Sequence, residues 1–191
     1  MRPRVLVLRA PGTNCDVETA HAFELAGGEP SRIHINRLLE SPRLFDEFQI
    51  LCLPGGFSYG DDLGAGRILG TQMRVHLADA LRKFKADGKL ILGICNGFQI
   101  ACEAGLLPGV LMRNENLRFI CHDVYLRVER SDTPFTRGYN AGQVIRVPVA
   151  HGDFGVAQPV FALAQFASQV ALPHRVATGI KRSATWHRAP R

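Results

Sequence analysis

Between Val5 and Gln99 the chain alternates short unbroken apolar runs with stretches of helical periodicity. That alternation admits few folds: strands buried on both faces, each followed by a helix that crosses back over the sheet. Val5–Leu8 is a run of the kind a doubly covered strand requires. Arg32–Ile35 reads as a second strand, Gln49–Leu53 as a third stopped by Pro54-Gly55-Gly56, and Lys89–Ile94 as the next. Thr13 or Asn14 can cap a first helix with Asp16 in its first turn, where the dipole favours a carboxylate, and Gly27-Gly28 ends it. Ile68, Leu69, Met73, Leu77, Ala80, Leu81 and Phe84 recur at helical spacing, which predicts one amphipathic helix from about Arg67 to Ala86, closed by Asp87-Gly88. Asn96–Glu103 is the helix that follows. Val124–Glu129 and Val144–Val149 alternate in polarity and read as additions to the sheet, and Val160–Val170 reads as a short helix. The expected architecture is α/β: a doubly wound, mostly parallel sheet with added antiparallel strands and its functional groups at the carboxyl ends of the strands.

The 191 residues are 46% hydrophobic and 21% charged, a balance that suits one domain over 1–191 and excludes disordered, collagenous and coiled-coil chains. A formal charge of +6 raises the question of an anionic partner. The excess is unevenly placed: residues 153–191 carry five Lys/Arg against one acid, Asp153, while the preceding residues are near balance. There the arginines interleave with acids and no basic aromatic stripe occurs, so nucleic acid is not an expected partner. No apolar run reaches membrane-spanning length and Val5–Leu8 is too short for a signal sequence, so neither a membrane nor export is expected. Cys15, Cys52, Cys95, Cys102 and Cys121 show no CxxC or Cys/His spacing. They imply a reducing cytoplasm and no metal site. Cys52 and Cys102 read as core residues, Cys15 as a loop-shaping one, and Asp61-Asp62 as a solvated turn.

The segment that carries chemistry is Leu90-Ile-Leu-Gly-Ile-Cys95-Asn-Gly-Phe-Gln99. An apolar strand runs into a Gly-x-Cys-x-Gly turn and then a helix, the arrangement that holds a nucleophile in a strained, exposed conformation. Gly93 and Gly97 are needed because side chains there would collide where strand folds into helix. The amino end of a helix favours a thiolate, the species that attacks. Leu53-Pro-Gly-Gly56 ends the neighbouring parallel strand, so its amides and the N–H of Asn96 can meet an oxyanion beside Cys95. A buried structural cysteine and a plain glycine turn are the alternatives; the strand-turn-helix context favours the nucleophile.

Gly93-Ile-Cys-Asn-Gly-Phe-Gln99 resembles the signature of class I glutamine amidotransferases, in which Gly-x-Cys-x-Gly is followed by Gln two positions on. More narrowly, Pro11-Gly-Thr-Asn-Cys-Asp16, Pro54-Gly-Gly-Phe-Ser-Tyr-Gly-Asp61 with Ala65-Gly66, Arg113-Asn114 through Phe119, and Pro148-Val-Ala-His-Gly152 are similar to the glutaminase-subunit family of phosphoribosylformylglycinamidine synthase, an enzyme of purine synthesis. The match covers residues 4–152 in the family's order. The resemblance implies a flavodoxin-like fold and attack by Cys95 on the side-chain amide of L-glutamine. It implies Gly55, Gly56 and Asn96 as oxyanion donors and Gln99 as a contact to the substrate's amino-acid end. It also implies that ammonia passes to a separate synthetase subunit, which uses ATP, Mg and formylglycinamide ribonucleotide, with a small third subunit bridging the two. No cofactor is expected in this chain, which lacks a Gly-x-x-x-x-Gly-Lys-[Ser/Thr] loop.

One departure from the family follows Gly152. The general base and its orienting carboxylate belong, in the family, to a carboxyl-terminal His-Pro-Glu motif that these residues do not contain. Pro173-His174 is a partial echo followed by Arg175-Val176, so His174 is a base candidate without an orienting acid. His151 is the other candidate, with a structural or subunit-facing role as its alternative. The expectation is that residues from about Asp153 are a frameshifted or divergent tail and that glutaminase activity is impaired. Two further readings stand beside the enzyme subunit: a non-catalytic pseudo-glutaminase that docks on the synthetase, and another cysteine-elbow hydrolase of the same fold.

Overall fold

The computed structural model describes residues 1–107, 111–113, 117–151 and 153–156. Val5–Leu8 forms the centre of β1 (Arg4–Arg9), with all four apolar side chains buried. α1 (Asp16–Leu25), β2 (Glu29–His34), α2 (Ile35–Glu40) and β3 (Ile50–Leu53) follow. α3 (Arg67–His76), α4 (Ala78–Ala86), β4 (Leu90–Gly93) and α5 (Asn96–Glu103) complete the part that carries the central sheet. That sheet is parallel throughout, in the order β2-β1-β3-β4.

Successive side chains of a strand point to opposite faces, so the apolar runs feed two cores. Val5 and Val7 of β1 and Cys52 of β3 pack with Ala20 and Phe23 of α1. Leu6, Leu8, Leu51, Leu53 and Ile91 pack on the other face with Leu69 and Met73 of α3, Leu81 and Phe84 of α4, and Phe98 and Ile100 of α5. Each fully buried Leu, Met or Phe contributes about 1.5–3 kcal/mol relative to exposure. The sheet is therefore doubly wound, as the alternation of runs requires.

Four local expectations need correction. The residue that caps α1 is Cys15, without a side-chain hydrogen bond to the helix. Thr13 Oγ1 instead accepts the Ala10 N–H at 3.2 Å within the loop, and Asp16 is buried between Arg9 and Arg32 at 2.7 and 3.2 Å. The second strand stops at His34, whose Nδ1 accepts the Asn36 N–H at 3.2 Å, so Ile35 opens a helix. Alternation of Arg32-Ile-His-Ile35 over four residues could not separate the end of a strand from the first turn of a short helix. The long amphipathic helix is broken at Leu77, where φ −119° and ψ 8° divide α3 from α4. Met73, Leu77 and Leu81 keep a spacing of four and stay buried through the break, so periodicity gives no sign of it.

The fourth correction concerns the antiparallel strands. β6 (Ile120–Arg127) and β7 (Val144–His151) pair with each other, Val124 opposite Val147, and β5 (Leu111–Arg113) pairs with β8 (Asp153–Val156). Among the described residues both are two-stranded sheets of their own rather than extensions of the parallel one. Val124, Leu126, Val147 and Val149 give the β6–β7 ribbon a separate small core. The helix expected over Val160–Val170 lies outside the described residues.

Candidate active site

β4 ends at Gly93 and α5 begins at Asn96, which leaves Cys95 at the elbow with φ 53° and ψ −113°. A side-chain-bearing residue in such a conformation costs about 1–3 kcal/mol and persists only where the surroundings dictate it. Gly97 is what dictates it: a Cβ there would lie 1.8 Å from the carbonyl oxygen of Leu53, so α5 starts in direct backbone contact with the end of β3. A Cβ at Gly93 would lie 2.8 Å from the Gly97 oxygen. The result is an exposed thiol held at the amino end of α5.

The neighbouring loops close on this elbow. A Cβ placed on Gly55 would be 3.5 Å from Cys95 Cβ and 3.6 Å from Cys15 Sγ, so the turn after β3 lies against both cysteines. Gly56, at φ 130°, meets the Asn14 backbone where a Cβ would sit 2.7 Å from its nitrogen. Gly97 N–H donates to the Ile94 carbonyl, and Phe98 and Gln99 N–H to that of Cys95. The N–H groups of Asn96, Gly55 and Gly56 have no acceptor among the described residues. These are the three donors expected for an oxyanion.

The side chain of Asn96 does more than the sequence indicated. It is buried, its Oδ1 accepts the Ser58 N–H at 3.1 Å, and its Nδ2 donates to Asp61 Oδ1 at 2.9 Å and to Gln99 Oε1 at 3.1 Å. Asp61 Oδ1 also accepts the Gly66 N–H at 3.0 Å. Asp61 is thus no solvated turn. Tyr59, Gly60 and Asp61 all have left-handed φ, of 53°, 69° and 53°, and fold the carboxylate back onto the start of α5. The Tyr59 hydroxyl, donating to Gln72 Oε1 at 3.0 Å, pins the same loop to α3. Ser58 and Asp61 were missed because two adjacent acids look solvated in sequence; the Tyr-Gly-Asp turn signal beside a Gly-Gly turn is what could have found them.

Residues 2–178 match the CobB/CobQ-like glutamine amidotransferase domain. The chain belongs to this family. It is 58% identical over 153 residues to the phosphoribosylformylglycinamidine synthase subunit PurQ of Rhodopseudomonas palustris, and 57% over 155 residues to that of Nitrobacter hamburgensis. Each alignment covers 80% of this chain and 62% of the relative, so the chain spans less than two thirds of the length of these curated relatives. The structure of PurLQS from Thermotoga maritima superposes with a TM-score of 0.71 at 42% identity, over 83% of this chain and 71% of that one. A glutamine amidotransferase from the same organism shares the fold, with a TM-score of 0.52 at 20% identity. The resemblance drawn from the motifs and the doubly wound α/β expectation are both borne out.

Elsewhere in this amidotransferase domain, cysteines lie both beside the elbow and in the core. Cys15 lies at the same rim, and partial desolvation, followed by Glu18, Cys95 and Asp16, pushes its thiol above the ordinary value. Burial pushes the Cys52 and Cys102 thiols up to about 12, the latter helped by Glu103. Both are core residues. His151 ends β7 opposite Ile120. His174 lies outside the described residues. Among the described residues no cluster of three or more His, Cys, Asp or Glu could hold a metal ion, and no helix is long and apolar enough to cross a membrane.

Proposed function

We propose that this chain is the glutamine-hydrolysing subunit of a phosphoribosylformylglycinamidine synthase and supplies ammonia for de novo purine biosynthesis. The observation that carries the reading is Cys95 at φ 53° on a strand–helix elbow, beside the amides of Gly55, Gly56 and Asn96, which have no acceptor among the described residues. Cys95 sulfur attacks the side-chain amide carbon of L-glutamine, forming a C–S bond while the carbonyl oxygen takes the negative charge. The three amides donate to that oxygen. The general base takes the thiol proton and passes it to the amide nitrogen as the adduct collapses, so the C–N bond breaks and ammonia leaves; water then hydrolyses the thioester to glutamate and free thiol. Gln99 contacts the substrate's amino-acid end. Ammonia passes to a synthetase subunit that holds ATP and Mg, with a small subunit bridging the two, and this chain needs no cofactor of its own. The work is cytoplasmic.

The step also needs a general base. The 191 residues contain no His-Pro-Glu run, and His174 and His151 are the candidates within them. An elbow acting without a base keeps only the rate due to binding and oxyanion stabilisation, about 10³–10⁴ over water. The test is glutamine-dependent synthesis by the purified chain with its synthetase and ATP, beside Cys95→Ser. A low rate abolished in the variant supports the reading, and an unchanged rate in Cys95→Ser overturns it. A second reading, stated from the sequence above, is a pseudo-glutaminase that organises the synthetase. Co-purification with the synthetase, synthesis from free ammonia and none from glutamine select that one.

A further inference from the structure

We propose that Asp61 is a positioning residue that decides which end of the Gln99 side-chain amide faces the substrate. The inference rests on the glutaminase reading above. A carboxylate only accepts hydrogen bonds and a backbone N–H only donates. Asn96 is held between one of each: Ser58 N–H at 3.1 Å fixes its Oδ1, and Asp61 at 2.9 Å fixes its Nδ2. With its amide orientation settled, the second hydrogen of Asn96 Nδ2 goes to Gln99 Oε1 at 3.1 Å. Gln99 therefore turns its oxygen inward and leaves its NH2 group to donate outward. The chain Asp61→Asn96→Gln99 converts a carboxylate, one helical turn away from the substrate contact, into a pair of donors there. Those donors suit an acceptor such as the carboxylate of an L-α-amino acid. Asp61 is itself fixed by the Gly66 N–H at 3.0 Å and by its left-handed backbone.

The polarity can be reversed without emptying the network. In Asp61→Asn, position 61 can donate as well as accept, so Asn96 is held in its orientation from the Ser58 N–H alone and its link to Gln99 is weakened. In Asp61→Asn with Asn96→Asp, the new carboxylate at 96 accepts from Ser58, from position 61 and from Gln99 NH2. All groups are then satisfied, but Gln99 presents its oxygen outward. The experiment measures L-glutamine affinity and thermal stability for the full chain with its synthetase subunit, in a Cys95→Ser background so that binding is read without turnover. Asp61→Asn is expected to weaken glutamine binding on the order of tenfold, the worth of a hydrogen bond to a charged group. The double variant is expected to recover thermal stability and not affinity. Gln99→Glu, which mimics the reversed amide with Asp61 intact, is expected to lose affinity at unchanged stability. Affinity that returns together with stability in the double variant, or Gln99→Glu binding like its parent, overturns the role of Asp61 and leaves the glutaminase reading standing. A Cys95→Ser parent that binds no glutamine overturns both.

Discussion

Cys95 holds a backbone conformation that its own side chain disfavours, and the contact of Gly97 with the Leu53 carbonyl leaves it no other. Replacing Cys95 by Gly should therefore stabilise the fold by about 1 kcal/mol while removing the nucleophile, because glycine reaches positive φ without strain. Cys95→Ala keeps the strain and should gain nothing; equal urea midpoints for the two variants would show that the elbow stores none. Gly97→Ala should fail to fold, seen as loss of soluble protein, since a Cβ 1.8 Å from a backbone oxygen has nowhere to go. Cys52 and Cys102 contribute an alkaline pH dependence. Their folded values are raised from 9.0 to about 12 by burial, so the unfolded chain releases these protons first. Stability is intact below pH 9 and is lost as pH rises towards 12. Alkaline unfolding followed by circular dichroism should shift upward in Cys52→Ala once corrected for its cavity at neutral pH. At this scale the sequence marked Cys95, its flanking glycines and the core cysteines, because each is a local backbone or burial requirement. It did not mark Asp61, whose partners Asn96 and Gly66 are brought to it by a left-handed turn and a neighbouring strand's helix.

Elements were legible where a run of side chains must be buried on both sides. β1, β3, β4 and α5 match the reading to within a residue or two, and α5 matches it residue for residue. The break at Leu77 was not legible, because the 3.6-residue pattern continues through it on buried Met73, Leu77 and Leu81. Leu77 is buried at the junction of α3 and α4. Leu77→Ala is expected to cost about 2–5 kcal/mol, read from chemical denaturation, as for other buried leucines. An effect below 1 kcal/mol would mean that the two helices close over the gap. α4 is also tied to the turn before β3 by Lys83 and Asp46 at 2.7 Å. The hydrogen bond from Lys83 holds the Asp46 carboxyl below its ordinary 3.8, and those to Asp46 and Asp87 hold Lys83 above 10.5. The contribution of this exposed pair is thus present across neutral pH, lost below about pH 3.8 as Asp46 protonates, and lost at high pH as Lys83 deprotonates. Proton titration of Asp46 by NMR in wild type and Lys83→Ala checks it: the Asp46 midpoint should rise in the variant.

For the whole molecule, the charge surplus of +6 raises an anionic partner, yet most of it lies in residues 153–191, which carry five Lys/Arg against one acid. The structure nonetheless uses the first four of them, Asp153–Val156, as β8 against β5. We expect the coding DNA to encode a His-Pro-Glu ending in another frame past codon 152, and a chain carrying that ending to hydrolyse glutamine orders of magnitude faster with its synthetase. If neither other frame encodes it, the residues are a divergent tail. The sequence by itself determined the doubly wound sheet, the nucleophile elbow and the family, because buried runs, glycine-dependent turns and motif order are properties of neighbouring residues. Only the tertiary structure decided which groups meet at the elbow. Gly55 against Cys95 and Cys15, and Ser58, Asp61 and Gln99 around Asn96, come from three loops at adjacent strand ends, and hydrogen-bond polarity between them is fixed by donors and acceptors up to 38 residues apart in the chain.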